Sequence, residues 1–375
     1  MSKLPNVGTT IFSVMSKLAA ENKAINLSQG FPNFPIDPAL SSILEAQANE
    51  SVHQYMPMPG SPELLSQVAS LIDRQYGRSI SESKELLITA GATQGIFTTI
   101  LALIDKGDEV IILDPSYDCY EPAVLLAGGI PVRIPLSEVF LPDWDRIKDE
   151  VSDSTRMIIT NNPHNPSGRV WSIEDMTELE ALMMKNSNLL LMSDEVYEFI
   201  TFDQKHLSAH LFPSLFDRCI TISSFGKTFH ITGWKMGYLS APESLMKEIK
   251  KVHQFNVFSV NSVAQATLTR YLENFDVNTL GAFYEEKRDT FRNAISSSKF
   301  ELLPCEGTYF QTASYAAISD MSDVDFCTEL TIKYGVATIP ISVFNSDARD
   351  QKIIRFCFAK DEATLLQAAT KLCKI

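Results

Sequence analysis

Between residues 86 and 224 the chain repeats one arrangement: a short, largely apolar run stops abruptly at polar or glycine residues, and a helical stretch generally follows. The runs are Leu86-Leu87-Ile88, Val110-Ile111-Ile112-Leu113, Met157-Ile158-Ile159, Leu189-Leu190-Leu191-Met192 and Ile220-Thr221-Ile222. A strand with one wet face alternates apolar and polar residues, whereas a continuous run needs cover on both faces. The pattern therefore predicts an α/β fold with a mostly parallel sheet between layers of helices. In such sheets ligands bind at the carboxyl ends of the strands. The polar segments after the runs are Gly91-Ala92-Thr93, Asp114 to Tyr117, Asn161 to Gly168, Asp194 to Tyr197 and Ser223 to Lys227. They are expected to converge on one crevice.

The two ends of the chain read differently. Leu27 to Pro35 is extended and broken by prolines, and beyond about residue 270 helices mix with strands such as Thr308-Tyr309-Phe310 and Ile353-Ile354-Arg355-Phe356. At 375 residues the chain exceeds the usual size of one compact core. The expected organisation is a large domain over 46–269 and a smaller α+β domain built from 1–45 and 270–375. A content of 45% hydrophobic and 21% charged residues excludes disorder. The net charge of −14 sets the average surface against phosphate backbones and anionic membranes. No nucleic-acid or membrane partner is expected. Six scattered cysteines without a C-x-x-C pair point to reduced thiols in a cytoplasmic protein, with no metal site. The start, Met1 to Asn6, has no charged-then-apolar signal, and no apolar run approaches the ~20 residues that span a bilayer.

Lys227 sits in Ser223-Ser224-Phe225-Gly226-Lys227-Thr228, among small residues just after an apolar run. A crowded, partly dry site lowers the cost of a neutral amine, which can then attack an aldehyde. A phosphate-binding loop is the rival, but G-x-x-x-x-G-K-[ST] needs glycine where this chain has Thr221. Taken alone, Lys227 reads equally as a surface or helix-start lysine.

The other segments leave similar alternatives. Gly91-Ala92-Thr93-Gln94-Gly95 opens an apolar helix, so its free N–H groups form a phosphate site or a plain turn. Asp194 ends a buried run and either meets a cationic group or caps a helix; Tyr197 follows three residues later. Asn161-Asn162-Pro163-His164-Asn165-Pro166-Ser167-Gly168 is more specific. Its prolines stiffen the backbone and remove donors, leaving asparagine side chains to bind a ligand. By themselves Arg355 reads as a snorkelling edge arginine, Lys235 as solvated, Gly30 as a turn, and Tyr55 and Tyr117 as core or interface aromatics. His206 and His210 have the i, i+4 spacing of a metal pair but no acidic partner in a motif, and are expected on the surface.

In order and spacing, N-N-P-H-N-P-S-G, S-D-E-V-Y and S-S-F-G-K-T-F-H-I-T-G-W-K-M-G resemble the signature set of class I/II aminotransferases, fold type I enzymes that use pyridoxal 5′-phosphate (PLP). The resemblance runs from Leu27-Ser28-Gln29-Gly30-Phe31-Pro32 to Ile354 through Lys360 and is greatest to the methionine aminotransferase and kynurenine aminotransferase–glutamine transaminase K group. It implies a mostly parallel seven-stranded sheet, a transaminase, and a homodimer with shared sites. Lys227 would hold PLP as a Schiff base and move the proton between substrate and cofactor. Asp194 would pair with the ring nitrogen, Tyr197 and Asn165 would bond the ring 3′-oxygen, and Tyr117 would stack on the ring. Ala92, Thr93, Ser224 and Lys235 would hold the phosphate, joined by Tyr55 of a neighbouring subunit. Gly30, Asn165 and Arg355 would bind the substrate carboxylate, and Phe12 and Phe258 its side chain.

Family members that favour dicarboxylates use a second arginine roughly thirty residues after the lysine. His253 to Asn261 contains none, so an acidic side chain would lack a partner. Phe12, Phe258 and Tyr55 suit methionine, aromatic amino acids, glutamine or kynurenine instead. Kynurenine aminotransferases often have histidine at the place of Ser259 and tryptophan near Phe12, which favours methionine. A carbon–sulfur β-lyase shares the same cofactor motifs and stands as the alternative outcome.

Overall fold

The computed structural model describes residues 2–5 and 7–375. Its centre is a seven-stranded sheet made of β1 (Leu86–Thr89), β2 (Glu109–Asp114), β3 (Ile130–Pro135), β4 (Thr155–Asn161), β5 (Leu190–Asp194), β6 (Cys219–Ser223) and β7 (Gly237–Ser240). The spatial order is β1-β7-β6-β5-β4-β2-β3, and only β7 runs against its neighbours. Every residue of β1, β5, β6 and β7 is buried, as continuous apolar strands covered on both faces must be. The sheet therefore matches the mostly parallel α/β expectation. Both strands absent from the five apolar runs have a physical reason to hide. β3 is an edge strand bearing Pro131 and Pro135, and β7 is short and antiparallel.

Register aligns the chemistry. Asn161 lies opposite Asp194 across β4 and β5, and Asp194 lies opposite Ile222 across β5 and β6. Asp194 is followed by turns, so it ends a strand and caps no helix. A smaller antiparallel sheet runs in the order Ile339–Pro340, Ile353–Cys357, Phe310–Ser314, Glu301–Leu302. The N-terminal segment joins the C-terminal third where Ile25–Asn26 pairs in parallel with Val336–Ala337.

One expectation fails clearly. His206 and His210 are not surface residues; they are 6% and 4% exposed. His206 Nε2 lies 2.8 Å from Glu195, and His210 Nδ1 lies 2.9 Å from Arg78. Glu195 lies eleven residues before His206 and Arg78 lies 132 before His210, so neither pair forms a short-range motif. No helix among the described residues is long and apolar enough to cross a membrane.

Candidate active site

The carboxyl ends of the large sheet border a partly open cavity lined by Gly91, Ala92, Thr93, Tyr117, Asn161, Asn165, Asp194, Tyr197, Ser224, Lys227 and Lys235 among others. The convergence expected from the apolar runs is therefore real. β1 turns at Gly91 into the helix Ala92–Leu103, with φ at +79°, a conformation cheap only for glycine. That helix start has no acidic first turn and no side-chain cap, so its N–H groups and positive dipole end remain available. The side chain of Lys235 lies beside it, about 3.4 Å from where a Cβ on Gly91 would stand.

Asp194 is only 3% exposed. Its Oδ2 accepts from the Tyr120 hydroxyl at 2.5 Å and its Oδ1 from the Val196 N–H at 3.3 Å. Burial pushes its carboxyl up to about 6, against those two hydrogen bonds and the charge of Lys227. The neighbouring loop is rigidly built. The Asn161 amide donates to the Asp194 carbonyl at 3.0 Å, and Asn161 Oδ1 accepts the Asn165 N–H at 2.8 Å.

Lys227 stands on the short helix Phe225–Thr228, whose N-cap Ser224 accepts the Lys227 N–H. Its Nζ donates to the Gly30 carbonyl at 3.3 Å. Burial lowers its pKa to about 8, and the charges of Arg355 and Lys235 work in the same direction. Roughly one molecule in ten then carries a neutral, nucleophilic amine at pH 7. Tyr197 is 2% exposed, and burial raises its phenol pKa, so its hydroxyl stays protonated. The Tyr117 hydroxyl comes within 3.4 Å of Thr93 Oγ1.

Arg355 is fully buried, which removes the edge-arginine alternative. It donates to Asn165 Oδ1 at 2.6 Å and to the Ser28 carbonyl at 3.1 Å, while its Nε has no partner among the described residues. Its guanidinium lies 3.9 Å from the Phe310 ring centre and 5.4 Å from that of Phe12. Gly30 passes so close that a Cβ would stand 2.8 Å from the Phe310 ring. Tyr55 and Phe258 are not brought to the cavity. They are 83% and 45% exposed and pack edge to face on each other, 5.5 Å between ring centres.

Three residues escaped the sequence reading. Tyr120 holds Asp194, and its only sequence signal is its place three residues after Tyr117, at the start of the helix Tyr120–Ala127. Tyr309 donates to the Gly30 carbonyl at 2.7 Å, although in sequence its run shows only the pattern of a strand. Lys360, 3% exposed, reaches the same glycine loop from beyond the Arg355 strand.

The family model for aminotransferase class I and II matches residues 22–372. This chain belongs to the class I and II aminotransferases. Its activity is amino-group transfer, and members of the family depend on PLP. It is 46% identical to the methionine aminotransferase of Escherichia coli (strain K12), over 99% of this chain and 97% of the relative. It is 34% identical to kynurenine–oxoglutarate transaminase 3 of Homo sapiens, over 99% of this chain and 89% of the relative. Among solved structures, YbdL from Escherichia coli, identified as having a methionine aminotransferase function, superposes with a TM-score of 0.98. That match has 45% identity and covers 100% of this chain and 99% of the other. The N-succinyldiaminopimelate aminotransferase from Mycobacterium tuberculosis gives a TM-score of 0.96 at 33% identity, over 100% and 99% of the two chains.

Proposed function

We propose that this aminotransferase moves the amino group of methionine, or of another apolar, aromatic or glutamine-like amino acid, to a 2-oxo acid by a ping-pong route, with PLP held on Lys227. The observation that carries this reading is the unmet demand of the site. Asp194 is buried without a cationic partner within 4.0 Å among the described residues, the Arg355 Nε is an orphaned buried donor, and the helix at Ala92 starts uncapped. A protonated ring nitrogen, a substrate carboxylate and a phosphate would meet those three needs.

The residues fit the cofactor. Ala92 and Thr93 would hold the phosphate through the helix start, with Ser224 and Lys235, and Tyr117 would lie against the ring. Asn165 and Tyr197 would serve the ring oxygen. When bound, PLP supplies an aldehyde for the amino group and a ring that accepts electrons as the Cα–H bond breaks. Asp194 would keep a proton on the ring nitrogen facing it. The Nζ of Lys227, neutral in part at pH 7, would take and return the Cα proton. Arg355 and the Gly30 N–H would fix the substrate carboxylate, and so aim Cα at Lys227.

The same reading takes 46–269 as the cofactor domain and 1–45 with 270–375 as the smaller one. It makes the protein a homodimer in which Tyr55 and Phe258 serve the other subunit's site, and a cytoplasmic protein whose six cysteines are free thiols. Methionine is preferred because the relatives spanning the whole chain include a methionine aminotransferase, and because His253 to Asn261 offers no arginine for an acidic side chain. The test is a half-reaction. Methionine is expected to bleach the visible absorbance of the PLP-loaded protein, a 2-oxo acid to restore it, and Lys227→Ala to slow the exchange by ~10⁴-fold. Wild-type turnover in Lys227→Ala would end the assignment. Pyruvate and ammonia released from cystathionine without bleaching by methionine would transfer it to a β-lyase.

A further inference from the structure

The loop from Ser28 to Phe31 has an unusual set of partners. All four of its carbonyls accept from side chains elsewhere in the chain: Ser28 from Arg355, Gln29 and Phe31 from Lys360, and Gly30 from Tyr309 and Lys227. The Gly30 N–H, by contrast, donates to no acceptor among the described residues. Lys360 makes the tightest of these contacts. Its Nζ lies 2.6 Å from the Phe31 carbonyl and 3.5 Å from that of Gln29, with the Phe31 ring 4.9 Å away.

Lys360 is also a charge in an odd place. It is 3% exposed, and among the described residues no carboxylate lies within 4.0 Å of it. Its neighbour Asp361 is committed to Asn33 and to the N–H of Thr364. Arg355, fully buried, has no ion-pair partner either. Burying cations without counter-charge is costly unless an anion arrives. Both cations come from one stretch, because Cys357 N–H is bonded to the Leu27 carbonyl and Phe358 N–H to the Tyr309 carbonyl. Arg355, Lys360 and the 27–31 loop therefore form one unit.

We infer that Lys360 is a positioning residue for the amino acid's α-carboxylate, acting through the Gln29–Gly30 peptide. Its ammonium is anchored on the Phe31 carbonyl at 2.6 Å and lies 3.5 Å from the Gln29 carbonyl, so it orients the peptide unit whose other end is the free Gly30 N–H. It also adds a second buried positive charge to that of Arg355. Cation-to-carbonyl bonding polarises the peptide and strengthens its N–H as a donor to an anion. This inference rests on the proposed binding of the substrate carboxylate by Arg355 and Gly30.

The test uses the PLP-loaded enzyme and three probes: methionine, 3-(methylthio)propionate as a carboxylate without an amine, and hydroxylamine as an amine without a carboxylate. Lys360→Met is expected to weaken methionine and 3-(methylthio)propionate in absorbance titrations by about 10- to 100-fold, the size of a lost charged hydrogen bond. The hydroxylamine rate should stay within about twofold, because that probe has no carboxylate to position. Wild-type affinity for 3-(methylthio)propionate would overturn the inference. So would an equal loss with hydroxylamine, which would mark a merely structural role. If Lys360→Met does not fold, Lys360→Gln, which keeps a neutral donor, decides by the same readings. Arg355→Met is the control: if it too leaves carboxylate affinity unchanged, the proposed function fails rather than the role of Lys360.

Discussion

Asp194 and Glu195 are adjacent carboxylates at the end of one strand, both almost fully buried, and they live in opposite circumstances. Asp194 faces the cavity with one hydroxyl and one N–H for company. Glu195 faces the far side and accepts from Ser193 Oγ at 2.8 Å and Ala209 N–H at 3.0 Å, with His206 Nε2 at 2.8 Å. Burial raises both carboxyl pKa values. For Asp194 it wins, leaving a pKa of about 6; for Glu195 the His206 contact and the other donors win, and its pKa falls below the usual range. The region behind Glu195 closes on itself. His210 meets Arg78 and Thr221, and Glu198 is held by Tyr76 and Tyr238. The period of two along a strand puts consecutive side chains on opposite faces, so one strand end can serve as both structural anchor and binding site. The face whose polar groups are satisfied internally holds the fold. The face left unsatisfied waits for a ligand.

Neutralising each acid in turn tests that division most severely. Asp194→Asn is expected to lower the half-reaction rate by ~10²- to 10³-fold, as loss of a key charge stabiliser does. The same change should make the cofactor-free protein more stable. The folded pKa of Asp194, about 6, lies above its ordinary value of 3.8. The native state therefore binds the extra proton between those values, and the penalty of the buried charge grows as pH rises through about 6. The gain in urea unfolding at pH 7.5 is on the order of 3 kcal/mol and shrinks toward zero near pH 4. A cofactor-free variant no more stable than wild type at pH 7.5 would mean that Asp194 is not frustrated.

Glu195→Gln should behave as the mirror image. Removing a buried carboxylate that several donors hold costs on the order of 3 kcal/mol. Because the folded pKa is depressed, the contribution of Glu195 is present above its ordinary value of 4.5 and is lost as pH falls below it. The destabilisation should therefore be full at pH 7.5 and fade with acid, while the rate per folded, PLP-loaded molecule stays within about threefold. A large rate loss in folded protein would show that the two faces are coupled, and the comparison would break.

The same contrast explains what the sequence could reveal. Strands buried on both faces are legible because their apolar runs are continuous, as in Leu189 to Met192. The proline-bearing edge strand β3 lacks that signal. Lys227, Asp194 and Asn165 stand out because ligand chemistry places unusual residues after such runs. The far face is illegible. Glu195 meets His206 across a loop of irregular chain and His210 meets Arg78 across 132 residues, so each partner comes into place only with the tertiary fold. Tyr55 and Phe258 are a third case: their neighbours within the single chain do not include the cavity.

The smallest expected effect concerns the one strong bond Asp194 does possess. Tyr120 is 2% exposed and its hydroxyl remains a donor across the working range, because burial and the Asp194 charge raise its own pKa. Removing that donor in Tyr120→Phe withdraws a hydrogen bond to an ionised group, about 1.5 kcal/mol, or about one pKa unit at Asp194. The direction is upward, because the lost bond favoured the charged form. Asp194 would then be half protonated near pH 7 rather than near 6. PLP binding, measured by absorbance titration as the ratio of variant to wild-type affinity, should fall by about fivefold at pH 6 and recover to near unity above pH 8.5, where both proteins carry the carboxylate. The ratio cancels the cofactor's own titration. A ratio that stays flat with pH would assign Tyr120 to packing beside Tyr117 and leave the Val196 N–H as the remaining donor to Asp194 among the described residues.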